Sequence, residues 1–194
     1  ITAAWGLACR LLPVTDDRIE TRVSLTDDRE VGFQEYFVGM QHSIDITGVR
    51  FAGAEQARLS TMAVEAITSA DALVIAPSNP IVSIGPLLAV PTLQELVEAR
   101  RDRNVAVSPI IGGAALKGPA DRMLRELGEE SSVVGVARRY RDLAATLVID
   151  EVDRELASAV EDAGMRPIVM PTIMKQPGVA AALAQACHDA ATGV

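Results

Sequence analysis

The run Ala72-Leu-Val-Ile-Ala-Pro-Ser-Asn-Pro-Ile-Val-Ser-Ile-Gly85 passes from an apolar strand through a stiff polar turn into a helix-compatible segment. Strand, loop and helix in that order are one unit of a parallel sheet. In such a sheet ligands bind outside the carboxyl ends of the strands. The turn offers the hydroxyls of Ser78 and Ser83, the amide of Asn79 and free backbone N–H groups. That is the chemistry of a phosphate or nucleotide contact. Pro77 and Pro80 stiffen the turn and pre-organise its polar groups. The same residue types also cap helices, so spacing alone divides evenly between a ligand contact and an ordinary strand-to-helix turn.

Strands and helices alternate along most of the chain. Thr61 to Ala70 reads as a helix, Asp71 to Pro77 as a buried strand, and Pro91 to Asp102 as a helix with Pro91 in its first turn. Val105 to Pro109 reads as a short buried strand, and Pro119 to Leu127 as a helix closed by Gly128. Ser131 to Tyr140 reads as a helix capped by Ser131, and Ala145 to Asp150 as a strand ending in a carboxylate. A helix over Glu151 to Ala163, a strand over Pro167 to Pro171 and a helix over Val179 to Ala191 complete the series. The alternation predicts an α/β fold, Rossmann-like and doubly wound, with a mainly parallel sheet and helices on both faces. Ile19 to Leu25 and Ile44 to Phe51 alternate as half-exposed strands, and Val31 to Val38 reads as a strand leading into a short helix. Residues 15–60 are less regular, predicting an insertion or small subdomain within a single α/β domain over residues 1–194. Ile1 to Arg10 reads as the tail of a helix already under way.

Composition narrows the function classes. Hydrophobic residues make up 49% of the 194, which argues against disorder. A net charge of −8, with no Lys/Arg run and 3% aromatics, argues against nucleic acid as a partner. No apolar stretch reaches the length of a membrane span. Cys9 and Cys187 stand far apart and read as free thiols of a reducing cytoplasm. No G-x-G-x-x-G, Walker A or G-x-S-x-G motif occurs.

A second loop, Ser108-Pro-Ile-Ile-Gly-Gly-Ala-Ala-Leu-Lys-Gly-Pro119, also follows a strand and precedes a helix. Gly112 and Gly113 allow close backbone approach, and Lys117 can neutralise phosphate charge. The loop is longer than the usual ~2–6 residues of a βα connection. If the two strands are neighbours, the two loops flank one crevice. Phe33-Gln-Glu-Tyr-Phe37 offers either a stacking surface for a flat ring or a small hydrophobic cluster. The pairs Asp16 and Asp17, Asp27 and Asp28, and Asp150 and Asp153 offer carboxylates that could hold a divalent cation for phosphate chemistry; the adjacent pairs read more readily as solvated turns, and Asp150 as the cap of the helix that follows it. His42 and His188 have no metal-ligand spacing.

These residues resemble a known family. Pro77-Ser-Asn-Pro-Ile-Val-Ser-Ile-Gly-Pro86, Ser108-Pro-Ile-Ile-Gly-Gly113 and Leu116-Lys-Gly-Pro-Ala120 are similar to motifs of the 2-phospho-L-lactate transferases of coenzyme F-420 biosynthesis. Leu11-Leu-Pro-Val-Thr-Asp16, Phe33-Gln-Glu-Tyr36, Ile149-Asp150 and Pro171-Thr-Ile-Met174 fit the same pattern in the same order. The resemblance implies a magnesium-dependent transfer of a phospholactyl-type group from a guanosine-diphosphate-activated donor to the ribityl hydroxyl of a hydroxydeazaflavin, with GMP released. It places Ser78, Asn79, Pro80 and Ser83 on the donor nucleotide or its phosphate, with Gly112, Gly113 and Lys117 on the opposite wall. The family's N-terminal Gly-rich loop and metal-binding acids have no counterpart here. The resemblance therefore implies a C-terminal portion, without metal ligands of its own and lacking full activity alone. A homodimer is left open, and the acid carried is phospholactate, phosphoenolpyruvate or phosphoglycerate. The alternative is a nucleotide-sugar-binding regulatory protein of the same fold, whose equivalent loop reads Gly-Pro-Gly-Ser.

Overall fold

Alternating apolar residues build the first three strands, Glu20–Leu25 (β1), Glu30–Gly32 (β2) and Ile46–Ala52 (β3). They pair antiparallel in the order β2-β1-β3, and Val23, Leu25, Val31 and Ile46 turn inward. The computed structural model describes Ala4, Gly6 and residues 8–193; half of the helix tail expected over Ile1 to Arg10 falls outside them. Between β2 and β3, a π-helical turn at Glu35–Gly39 buries Tyr36. The less regular segment is therefore a small antiparallel sheet that shares its core with the rest of the described chain.

Helix α1 (Thr61–Ser69) is capped by Ser60, whose hydroxyl accepts the Ala63 N–H. After it come β4 (Leu73–Ile75), α2 (Gly85–Leu88), α3 (Leu93–Glu98) and β5 (Asn104–Val107). A tight hairpin, β6 (Ile110–Ile111) and β7 (Ala114–Ala115), leads to α4 (Ala120–Glu126) and α5 (Val133–Tyr140). The chain closes with β8 (Thr146–Ile149), α6 (Ala157–Asp162), β9 (Arg166–Val169) and α7 (Val179–Thr192). Strands β4, β5, β8 and β9 form a parallel sheet in chain order, with no reversal among these four.

The predicted α/β class, with a parallel sheet covered on both faces, is what the structure has. Residues of β5 and β8 sort by parity, as a strand period of two requires. Ala106, Leu147 and Ile149 pack with Met123, Leu124, Val136, Ala137 and Val160 of α4, α5 and α6. Val105, Val107 and Val148 pack on the other face with Leu183, Cys187 and Ala191 of α7.

Four expectations need correction. The strand after α1 is not buried: β4 is an edge of the sheet, and Val74 is 49% exposed. Helix α3 starts at Leu93, so Pro91 lies before its first turn. The cap of α5 is Ser132, whose Oγ accepts from the Val134 and Gly135 N–H groups; Ser131 instead donates to the Gly113 carbonyl. The segment after β5, read as one long βα connection, is instead folded by the β6–β7 hairpin.

Candidate functional site

A cleft of about 650 Å³ opens at the carboxyl ends of the parallel strands. Strands β4 and β5 are neighbours, so the two loops singled out in the sequence flank it. Ser78, Asn79 and Ser83 come from the loop after β4, Lys117 from the loop after β5, and Thr172 and Lys175 from the loop after β9. Phe33 and Phe37 reach in from the segment between β2 and β3.

The first loop is set by Asn79. Its Oδ1 accepts the N–H groups of Ile81 at 2.8 Å and Val82 at 3.2 Å, and its Nδ2 faces the Met123 sulfur at 3.6 Å. Asn79 is thus the cap of the π-helical turn Pro80–Ile84 that runs on into α2. Its carbonyl is occupied, so the residue shapes the wall of the cleft rather than offering a two-pronged contact to a base. Pro80 follows the cap, where its missing N–H costs nothing, and it is buried. Ser78 and Ser83 have no side-chain partner among the described residues, which leaves both hydroxyls available to a ligand.

Gly112 and Gly113 do not line the cleft. They form the tip of the β6–β7 hairpin with φ of 59° and 79°, the two positive values a tight hairpin turn demands. A two-glycine pair between two-residue apolar runs was the available signal for this hairpin. The Gly112 N–H donates to both oxygens of Asp153 at 3.1 and 3.0 Å.

Lys175 escaped the sequence reading, since a lone lysine after a short strand carries no signal until the fold brings its loop inward. The chain has only two lysines, and both line this cleft. Neither is in an ion pair among the described residues, whereas most of the arginines are. The cleft lining contains no Asp or Glu. Within a molecule of net charge −8 the cleft is thus a local concentration of positive charge.

Phe33 and Phe37 stack with centroids 5.6 Å apart and an angle of 8° between their planes. Phe37 stacks in turn on His42 at 5.6 Å and 19°. The aromatic segment is a hydrophobic cluster against the core, as one of the two readings had it, and Phe33 and Phe37 also line the cleft.

Asp150 caps the turn after β8, accepting the Val152 N–H, as expected. Its other oxygen accepts the Thr172 N–H at 2.8 Å and the Thr172 hydroxyl at 2.9 Å. Burial works to raise its pKa, but these hydrogen bonds prevail and hold it below the usual carboxylate value. Magnesium does not fit the residues present. The cleft lining has no carboxylate, and Asp150 and Asp153 are occupied by N–H and O–H donors. Among the described residues no three His, Cys, Asp or Glu side chains are placed to hold a metal.

Fold and cleft together define an α/β protein with a lysine-bearing cleft at the carboxyl ends of its parallel strands. The family model 2-phospho-L-lactate transferase CofD matches residues 1–187, and the chain belongs to that family. It is 39% identical to a phosphoenolpyruvate transferase of Streptomyces griseus, over 100% of this chain and 62% of that protein. It is 35% identical to a 2-phospho-L-lactate transferase of Methanocaldococcus jannaschii, over 89% of this chain and 55% of that protein. The chain thus spans between about half and two thirds of the length of these relatives. The crystal structure of protein BH3568 from Bacillus halodurans shares the fold, with a TM-score of 0.64 at 17% identity, covering 96% of this chain and 64% of that one. Among the described residues no helix is long and apolar enough to cross a membrane.

Proposed function

We propose that this chain forms one wall of the site of a transferase acting in coenzyme F-420 biosynthesis. The reaction moves a phosphorylated three-carbon acid, phosphoenolpyruvyl or phospholactyl, from a guanosine-diphosphate-activated donor to the terminal ribityl hydroxyl of a hydroxydeazaflavin. The new bond joins the hydroxyl oxygen to the phosphorus carried by the acid. The bond that breaks joins that phosphorus to the bridging oxygen, which leaves with GMP.

One observation carries this reading: the only two lysines of an acidic chain line one cleft that lacks acids, together with two serine hydroxyls, and none of the four has a side-chain partner among the described residues. Lys117 and Lys175 offset the charge of the donor's diphosphate, and Ser78 and Ser83 donate to its oxygens. The Phe33–Phe37 stack offers its face to a flat ring. No His, Cys, Asp or Glu lines the cleft, so this wall contributes binding, orientation and charge rather than proton transfer. The two relatives, a phosphoenolpyruvate transferase and a 2-phospho-L-lactate transferase, agree with the transfer of a phosphorylated three-carbon acid.

Titration calorimetry with GDP and with inorganic pyrophosphate tests the reading. Lys117→Ala and Lys175→Ala should each weaken binding on the order of ten-fold, the worth of one charge-assisted contact. UDP in place of GDP addresses the nucleotide-sugar alternative. Equal affinity of wild type and both variants would sink the anion site, and a preference for UDP would favour the regulatory reading.

A further inference from the structure

Asp150 and Asp153 are both buried, and neither has a cationic partner among the described residues. A carboxylate removed from water is costly unless its oxygens are well bonded. Where a turn needs only a cap, Ser or Asn serves without a buried charge. The partners of the two acids suggest why charge is kept here. They are backbone and hydroxyl donors of the two loops that carry the lysines.

Asp150 stands at the end of β8, between β5 and β9. The loop after β9 begins over the outer strand of the sheet, two strands from the loop that bears Lys117. The two bonds from Thr172 draw it across the end of β8, and Lys175 follows three residues later in the cleft. Asp153 holds the tip of the β6–β7 hairpin through the Gly112 N–H, while the Ser131 hydroxyl braces Gly113 from the other side at 3.0 Å. Strand β7 runs from that tip directly to Leu116 and Lys117.

We propose that Asp150 and Asp153 are positioning residues, one turn of chain that holds both lysine-bearing loops to the cleft, Asp150 through Thr172 and Asp153 through Gly112. The proposal rests on the reading of the cleft as a phosphate site. The two acids touch no ligand; they act through the lysines, and that makes the effect specific to pairs.

Double-mutant cycles read by pyrophosphate titration on the intact chain test it. Asp150→Ala should weaken binding on the order of ten-fold when Lys175 is present and by no more than about two-fold in the Lys175→Ala background. Asp153→Ala should behave likewise toward Lys117. The crossed pairs, Asp150 with Lys117 and Asp153 with Lys175, should be additive. A general loss of fold lowers binding in every background alike, so matched pairs that add, or an Asp150→Ala protein that binds like wild type, would overturn the proposal. If the alanine variants do not fold, Asp150→Asn and Asp153→Asn keep one acceptor oxygen each and run the same cycles. A wild-type chain that does not bind pyrophosphate removes the phosphate reading itself, whereas binding with additive cycles removes only the positioning role.

Discussion

At the scale of single residues, the polar groups around the cleft divide between those bonded within the protein and those left free. The side chains of Asn79, Ser108 and Asp150 have internal partners; among the described residues those of Ser78, Ser83, Lys117 and Lys175 have none. The distinction was only half legible in the sequence. Residue type marked the first loop as polar, but whether an amide caps or binds depends on where the next N–H groups point. Asp150 gives a prediction with a definite sign. Its folded pKa lies below its unfolded value, so its contribution to stability is present above pH ~4 and is lost as pH falls through the folded value. Urea denaturation of wild type and Asp150→Asn should differ by about 1–3 kcal/mol at pH 7. That gap should narrow as pH is lowered below 4. A gap that stays constant would mean that the carboxylate charge is irrelevant there.

Among the elements, the helices and the longer strands were legible because burial imposes a period. Alternation marks β1 and β3, and a short continuous apolar run marks β8. The β6–β7 hairpin was not read, since two residues per strand have no period to detect and only the glycine pair speaks for it. Nor could the run at Leu73 to Ile75 announce that it forms an edge, because strand neighbours are settled by pairing far along the chain. Helix α5 carries a sharper constraint. A Cβ on Gly135 would run into the Glu130 carbonyl oxygen, which is backbone and cannot swing aside. Ala in place of Gly normally favours a helix by up to about 1 kcal/mol. Here Gly135→Ala should instead destabilise by about 3 kcal/mol or more, seen as a lower urea midpoint. An unchanged or raised midpoint would show that α5 can shift away from Glu130.

For the molecule as a whole, the two faces of the parallel sheet are covered unequally. Helices α4, α5 and α6 share the large core with the antiparallel sheet, whereas a smaller cluster under α7 covers the face of Val105, Val107 and Val148. Leu183 is 4% exposed in that cluster. Leu183→Ala should therefore cost about 2–5 kcal/mol, a large part of the ~5–15 kcal/mol typical of a domain. Hydrogen exchange should show α7 losing protection first; uniform loss across both faces would contradict this asymmetry. The overall α/β class was legible from the sequence, but the convergence of three loops and an aromatic segment on one cleft was not, because it depends on strand order. That convergence has a practical consequence for chemistry at amines. Apart from the α-amino group, every primary amine in this chain opens onto the cleft. Acylation read out at the two lysine side chains thus reports on the site, and any occupant resting against them leaves its outline as protection from labelling. Inadvertent acylation of a lysine side chain, for the same reason, strikes at the cleft.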